Sequence, residues 1–457
     1  MFPINSNIFK AYDIRGVYGR DFDDELAYLL GLAFVALRKN DPDYQPNKPL
    51  RIAVGRDMRL SSPDLQANLL RGIADAGAEA IDLGLVATPT MYFAVGHYGY
   101  DGGIIVSASH NPKEWNGFKL VRANGVPVSG ETGINTLRDS ILKGDLRPAA
   151  TIGKITANSQ ALDESIRYSL SCVDIKPIKP LKVVIDTANG MGATYITPLL
   201  AGLPIELIPI NFELDGSFPA HEADPLKEAN LIQLQEAVRS RRADLGIAID
   251  GDGDRIFFVD NTGLVINPAI TRGILAKLFL ADRPGAKIGY DVRPGKITVD
   301  LINEGGGQPV LTRVGHSLIK EQMISEDIYF AGESSGHFYW QGGAGCFEYP
   351  GVIILKMMLA ISLSGQGAAD YIKPYQKYFA SGEINREVGD KDSVLENLAR
   401  RYADGRITRL DGISIEYPDF WFNVRGSNTE PKIRLNLEAV DQKTMEEKRN
   451  EVLGLIV

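Results

Sequence analysis

Cysteine is scarce: the 457 residues contain only Cys172 and Cys346. Two cysteines build no disulfide framework, and neither sits in a metal-type spacing, so a stapled secreted scaffold and a cysteine-bound zinc site are both excluded. Basic charge is not in excess either. Against 58 acidic residues stand 49 Lys and Arg, a net charge of −9, which argues against nucleic acid as the main partner while leaving room for local clusters that bind small anions. Long apolar runs are missing. The most apolar stretch, 351–363, is interrupted by Lys356 and is too short to span a bilayer, so a buried helix is expected and no membrane partner. The N-terminus, Met1-Phe2-Pro3-Ile4-Asn5-Ser6-Asn7, has no basic segment followed by an apolar one, so no signal peptide is expected. A reducing cytoplasm is the expected compartment. What remains is ordinary for a soluble globular chain: 44% hydrophobic and 23% charged residues, and a length that suits roughly three or four domains.

A faint internal repeat runs through the chain. Arg51-Ile52-Ala53-Val54-Gly55, Lys182-Val183-Val184-Ile185-Asp186 and Lys287-Ile288-Gly289-Tyr290-Asp291 each read as a basic residue, a short β-rich run and a turn. A helical stretch and a second short strand follow each of them, at 80–83, 205–210 and 309–314. A third strand then ends in a polar loop. Strands alternating with helices predict α/β layers, and ligands gather beyond the carboxyl ends of such strands, so three similar units would present three loops to one cleft. Helix signals agree. Ser62-Pro63, closed by Gly77, has the order of N-cap, N1 proline and C′ glycine. Residues 24–40 place Leu26, Leu29, Leu30, Ala33 and Leu37 on one helical face. From about Tyr371 the pattern changes. A helix at 392–402, strands near 413–417 and 433–437, and a last helix from Gln442 predict a separate small α+β domain.

Four loops carry chemistry. In Ala248-Ile249-Asp250-Gly251-Asp252-Gly253-Asp254-Arg255 three carboxylates alternate with two glycines. That much negative charge repels itself unless a hard cation such as Mg²⁺ or Ca²⁺ sits in it, and the glycines let the backbone curl until the carboxylates converge. An EF-hand is excluded, because its sixth and twelfth positions are here Arg255 and Asn261. In Ser107-Ala108-Ser109-His110-Asn111-Pro112, after the apolar run Gly103-Ile104-Ile105-Val106, Ser109 lies beside polar donors with Lys119 a few residues on. A hydroxyl so placed can carry a transferable group such as phosphate, although a lone serine is as often a turn residue. Gly332-Glu333-Ser334-Ser335-Gly336-His337 matches the hydrolase pattern G-x-S-x-G. The match is false, because Phe338-Tyr339-Trp340-Gln341-Gly342-Gly343 predicts no helix after it. Glu333, Ser335 and His337 alternate, so on an extended segment they share a face, where a glutamate and a histidine can grip sugar hydroxyls and move protons. Arg425-Gly426-Ser427-Asn428-Thr429-Glu430-Pro431, followed by Arg434, has the composition of a phosphate cradle. It is not a P-loop, and no GxxxxGK[ST] occurs in the chain.

Taken in this order, the four loops resemble the α-D-phosphohexomutase family, especially its phosphomannomutase/phosphoglucomutase type. The resemblance runs from Phe9-Lys10-Ala11-Tyr12-Asp13-Ile14-Arg15-Gly16 to the Arg425 loop. It implies three similar mixed α/β domains plus a C-terminal TATA-binding-protein-like α+β domain, in a heart shape, here at 1–150, 151–256, 257–370 and 371–457. It implies a phosphoserine at Ser109 with His110 and Asn111 beside it, and Mg²⁺ on Asp250, Asp252, Asp254 and the seryl phosphate. Arg15 and Lys119 would serve the transfer, with Lys119 as an acid/base. Tyr12, Arg255 and Arg293 would touch substrate. Glu333 and Ser335 would grip sugar hydroxyls, with His316 and His337 lining the site. Arg425, Ser427, Asn428 and Thr429 would bind the non-reacting phosphate. The activity implied is reversible transfer between C1 and C6 of mannose and glucose phosphates, with a hexose 1,6-bisphosphate as intermediate and activator, in a monomer or weak homo-oligomer.

Two departures from the family pattern stand out. Asp291-Val292-Arg293 has arginine where many members carry lysine, and Cys346-Phe347-Glu348-Tyr349-Pro350-Gly351 replaces a common Asp-Asp-Gly segment. Phosphoglucosamine mutase is the nearest rival, with Asn428 standing against it because that branch usually has glycine there. A phosphosugar-binding protein without catalysis is the other alternative. Intact Ser109, three aspartates and the arginines disfavour it.

Overall fold

The computed structural model describes residues 4–426 and 432–456. Contacts divide the chain into two units. The first contains 1–266, 316–325 and 335–369, and the second 267–315, 326–334 and 370–457.

In the first unit a six-stranded sheet runs in the order Ile14–Val17, Trp115–Arg122, Gly102–Val106, Arg51–Arg56, Glu79–Leu85, Ile155–Ala157. Its central strand Arg51–Arg56 pairs in parallel with the second and third strands of the expected repeat, Glu79–Leu85 and Gly102–Val106. Trp115–Arg122 then turns back antiparallel. Helix Asp24–Lys39 begins on Asp23, whose side chain accepts the Glu25 N–H, and has Arg38 and Lys39 in its last turn where cations suit the helix dipole. Its apolar face joins Phe22, Ile52, Leu69 and Ile104 in the core. Helix Ser62–Asp75 ends before Gly77, whose φ of +84° is the left-handed conformation of a C′ glycine. Its start corrects one expectation. Ser62 is not the N-cap but the first helical residue, and Ser61 takes the cap position without a side-chain bond. The Ser62 hydroxyl donates instead to buried Asp57 at 2.6 Å.

The second sheet of this unit repeats the scheme. Leu181–Asp186 lies between parallel Ile205–Ile210 and Leu245–Ile249, with Ile256–Asp260 antiparallel beyond. Helix Pro350–Ser364 is buried along most of its length, as its composition predicts. Among the described residues no single helix is long and apolar enough to cross a membrane.

In the second unit Lys287–Asp291 again pairs in parallel with Gln308–Thr312 on one side and Ile328–Gly332 on the other. All three copies of the repeat therefore share one strand order, second–first–third. Each first strand also ends at a buried aspartate that ties down the loops around it: Asp57, Asp186 and Asp291. The C-terminal part is the α+β layer expected. Its five strands are all antiparallel, in the order Phe379–Glu387, Lys432–Ala439, Phe420–Gly426, Ile413–Glu416, Arg406–Thr408. Helices Lys391–Arg401 and Gln442–Leu455 supply Val394, Leu398, Met445 and Val452 to its core.

Candidate active site

Two loops of the first unit meet at Ser109. The serine is almost fully buried and sits at a φ of +51°, a conformation that a non-glycine residue adopts only where its surroundings enforce it. The Ser107 hydroxyl accepts its N–H at 2.9 Å, and its own Oγ donates to Asp250 Oδ2 at 2.8 Å and lies 3.1 Å from His110 Nδ1. The metal-type loop supports this contact by its glycine. A Cβ on Gly251 would stand 2.5 Å from the Ser109 carbonyl oxygen, so only glycine lets the two loops come this close.

Asp250, Asp252 and Asp254 are buried, and one oxygen from each lies within 4.8 Å of the others. Asp250 Oδ1 accepts the backbone N–H groups of Gly253, Asp254 and Arg255 at 3.1–3.2 Å. Even so, burial, then the charges of Asp252 and Asp254, push its carboxyl up to about 8. Lys119 Nζ donates to Asp252 Oδ2 and Asp254 Oδ2, both at 2.6 Å. Burial works against that ammonium, but the two carboxylates prevail and hold Lys119 well above the ordinary lysine value. Burial likewise opposes the charge on Asp254, and Lys119, His337 and Arg255 overcome it and keep the carboxyl well below its usual range. Asp252 Oδ1 is buried without a hydrogen-bond partner. A carboxylate oxygen left so, within a cluster of carboxylates, fits a hard divalent cation with oxygen ligands.

Around this centre stand further predicted residues. Arg15 donates to Asn111 Oδ1 at 2.7 Å and pairs with Asp13 at 2.7 Å. Arg255 Nε lies 3.4 Å from His337 Nε2, and Arg255 reaches Asp224 at 3.8 Å. His337 also approaches Asp254 Oδ1 at 3.2 Å and Ser335 Oγ at 2.9 Å. His316 meets the Tyr12 ring edge-on and lies near-parallel to that of His337, with ring centroids 5.5 and 6.4 Å away. Burial is the main reason that both His110 and His316 are held neutral, well below the ordinary histidine value; cations reinforce it, Arg255 first for His110 and Lys320 first for His316.

The second unit has its own polar group. Arg293 donates to Asp291 Oδ2 at 2.6 Å and lies 3.3 Å from Glu333 Oε1, which also accepts the Gly315 N–H at 3.1 Å. Arg425 donates to Glu383 at 2.9 Å, and Arg434 to the same carboxylate at 3.3 Å. Ser427, Asn428 and Thr429 lie outside the described residues.

The phosphoglucomutase/phosphomannomutase alpha/beta/alpha domains I, II and III match residues 6–147, 163–263 and 268–378, and the C-terminal domain of the same family matches 383–455. An Escherichia coli phosphomannomutase is 38% identical over 461 residues, covering 98% of each chain. The chain belongs to the phosphoglucomutase/phosphomannomutase family. A Methanocaldococcus jannaschii phosphomannomutase is also 38% identical, over 98% of this chain and 97% of its own. The crystal structure of a family protein from Burkholderia thailandensis superimposes with a TM-score of 0.88 at 29% identity, over 99% of this chain and 97% of that one. The four-domain architecture of mixed α/β sheets is that of the family.

Within this family fold one local expectation fails. Glu333, Ser335 and His337 do not alternate along an extended segment. Ser334 and Ser335 form a turn, and Gly336 has a φ of +88°, so the strand resumes only at Phe338–Gly342. That strand also removes the hydrolase reading, which needs a helix there. Some participants escaped the sequence analysis. Thr88 donates from Oγ1 to Asp252 Oδ2 at 2.6 Å, and Tyr195 donates its hydroxyl to the Gly253 carbonyl at 3.0 Å. Both sit beside prolines or apolar residues, with nothing in their neighbourhood to mark them. The segment that departs from the Asp-Asp-Gly pattern has a defined place: Glu348 is buried 3.2 Å from the Lys320 ammonium, which lies 4.3 Å from the Tyr92 ring centre.

Proposed function

We propose that this protein is a phosphohexomutase that moves a phosphoryl group reversibly between C1 and C6 of mannose phosphates and of glucose phosphates. The reading rests on one observation above all. Ser109 Oγ is held in a left-handed turn 2.8 Å from Asp250, at the edge of three converging carboxylates. A hydroxyl placed there has little use except to carry a group that a cation must neutralise.

Phosphoserine 109 would give its phosphoryl group to the free hydroxyl of a hexose 1-phosphate. The bond from phosphorus to Ser109 Oγ breaks and one to the sugar oxygen forms. The resulting 1,6-bisphosphate would turn over and return its other phosphate to Ser109, leaving the 6-phosphate. Mg²⁺, held by Asp250, Asp252, Asp254 and the seryl phosphate, would supply positive charge against the repulsion of the two phosphates. Arg15, Lys119 and Arg255 add to it from the chain itself. Lys119, held charged between Asp252 and Asp254, would serve the transfer as a cation and as the acid for the departing serine oxygen. Neutral His110, 3.1 Å from Ser109 Oγ, suits the opposite role of accepting the proton of the attacking hydroxyl. Ser335 would grip sugar hydroxyls, and His316, His337 and Tyr12 would line the sugar site. In the second unit, Glu333 and Arg293 would hold sugar hydroxyls. Arg425, with Ser427, Asn428 and Thr429, would bind the non-reacting phosphate.

The test is ³¹P NMR of the protein with Mg²⁺ and a trace of glucose 1,6-bisphosphate, supplied in turn with mannose 1-phosphate, glucose 1-phosphate and glucosamine 1-phosphate. Conversion of the first two to 6-phosphates is expected, with loss on adding EDTA. Ser109→Ala is expected to lower turnover more than about a thousandfold. Full turnover by that variant would overturn the mechanism, and conversion of glucosamine 1-phosphate alone would overturn the sugar assignment.

A further inference from the structure

Arg59 is among the most deeply buried residues of the chain, at 1% exposure, and it has no part in the site described above. Its guanidinium does not face a carboxylate fork, as buried arginines commonly do. It faces four main-chain carbonyls of one loop. Nη2 donates to the oxygens of Ser109 and Asn111 at 2.7 and 2.6 Å, and Nη1 to those of Pro112 and Trp115 at 2.8 and 2.9 Å. Asp57 Oδ2 stands 3.2 Å from Nε, and the ring of Phe218 lies 5.0 Å below the guanidinium carbon. Asp57 is fixed in turn: its Oδ1 accepts the Arg59 N–H at 3.0 Å and the Ser62 hydroxyl at 2.6 Å, and Asn116 donates to that hydroxyl at 3.0 Å.

We infer that Arg59 is a positioning residue for the phosphoryl-carrying serine: it fixes the backbone of the loop so that Ser109 Oγ stays aimed at Asp250. The inference rests on the mutase reading for its consequence, not for its geometry. One planar cation ties together four carbonyls of the loop, from buried Ser109 out to its more open stretch at Asn111, Pro112 and Trp115. Among them is the carbonyl of Ser109 itself, the oxygen that packs against Gly251. Arg59 thus holds the loop from behind while the metal-type loop presses from the front, and the left-handed φ of Ser109 is fixed between them. Lysine keeps the charge, but its three donors on one nitrogen cannot span four carbonyls.

The experiment compares the full-length wild type with Arg59→Lys. Hydrogen exchange reads the amides of 107–117. Thermal melting reads folding. Intact mass follows single-turnover uptake of phosphate on Ser109 from glucose 1,6-bisphosphate, and steady-state kinetics separate kcat from KM for glucose 1-phosphate. Arg59→Lys is expected to fold, to exchange faster across 107–117, and to take up phosphate about 100-fold more slowly, the scale of a displacement of about 1 Å. KM should stay within about twofold, because Arg59 touches no part of the sugar site. Wild-type exchange and wild-type phosphate uptake in Arg59→Lys would overturn the inference, as would a rise in KM with kcat unchanged. Should Arg59→Lys fail to fold, Phe218→Leu, which removes only the ring beneath the guanidinium, is expected to show the same split at smaller amplitude, and its absence would count equally against. If wild type itself takes no phosphate on Ser109, the mutase reading has failed, and the exchange comparison alone decides the role of Arg59.

Discussion

The carboxyl of Asp250, pushed up to about 8 by burial and by Asp252 and Asp254, ties cation binding to proton release. At pH 7 a group with that value is mostly protonated, and a cation ligand must give the proton up. Mg²⁺ binding is therefore expected to release most of a proton at pH 7 and progressively less towards pH 9. Isothermal titration calorimetry reads this directly, as the slope of apparent enthalpy against the ionisation enthalpy of the buffer. Lys119 is the other candidate source, since a cation weakens the hold of Asp252 and Asp254 on its proton. Its contribution would grow with pH instead of shrinking. Release that rises from pH 7 to 9, or stays below about 0.2 proton at pH 7, would refute the assignment to Asp250. The same shift has a sign for stability. The folded value lies above the unfolded one, so the metal-free protein loses stability as pH rises from about 4 through about 8, and Mg²⁺ restores it.

Other outcomes follow from single contacts. Lys320→Met leaves Glu348 buried without its cation and is expected to cost about 3 kcal/mol in chemical denaturation, most of it recovered in the double variant with Glu348→Gln. A Cβ at Gly251 pushes on the Ser109 carbonyl at 2.5 Å, so Gly251→Ala should slow phosphate uptake on Ser109 while thermal melting changes little. Wild-type uptake would show that the loops have slack. If Arg425 binds the non-reacting phosphate as proposed, Arg425→Ala is expected to raise KM for hexose 1-phosphates about tenfold or more, with a smaller change in kcat, and an unchanged KM would refute that role.

How much of this was legible in the chain depends on whether the signal was local. The three strand–helix–strand repeats are visible because each starts on a basic residue and an apolar run, and all three adopt one strand order. The convergence of Asp250, Asp252 and Asp254 was legible from their spacing with the two glycines alone. Lys119 was named, but not its seat between Asp252 and Asp254, which lie 133 and 135 positions along the chain. Arg59 was invisible for a deeper reason: its partners are backbone carbonyls, which every residue possesses and no side-chain pattern marks. The strand Phe420–Gly426 was missed because its apolar run Phe420-Trp421-Phe422 flows without a turn signal into the Arg425 loop. The turn at Ser334 and Ser335 was misread because alternation of polar residues looks like a strand until the positive φ of Gly336 breaks it.

The aspartate that closes each first strand has a different companion in each copy. Asp57 and Asp291 face arginines, whereas Asp186 accepts from His221 Nε2 at 3.1 Å. Arginine keeps its charge at any pH a cell meets, but imidazole does not. Burial works against the charge on His221, yet Asp186 and the Glu222 carbonyl hold its proton above the ordinary histidine value. The attachment is complete in mild acid and slackens as alkalinity strips that proton away. Two of these three aspartates are thus fastened by arginines and the middle one by an imidazole, so of the three repeated joints it is the one at Asp186 that the medium itself can loosen.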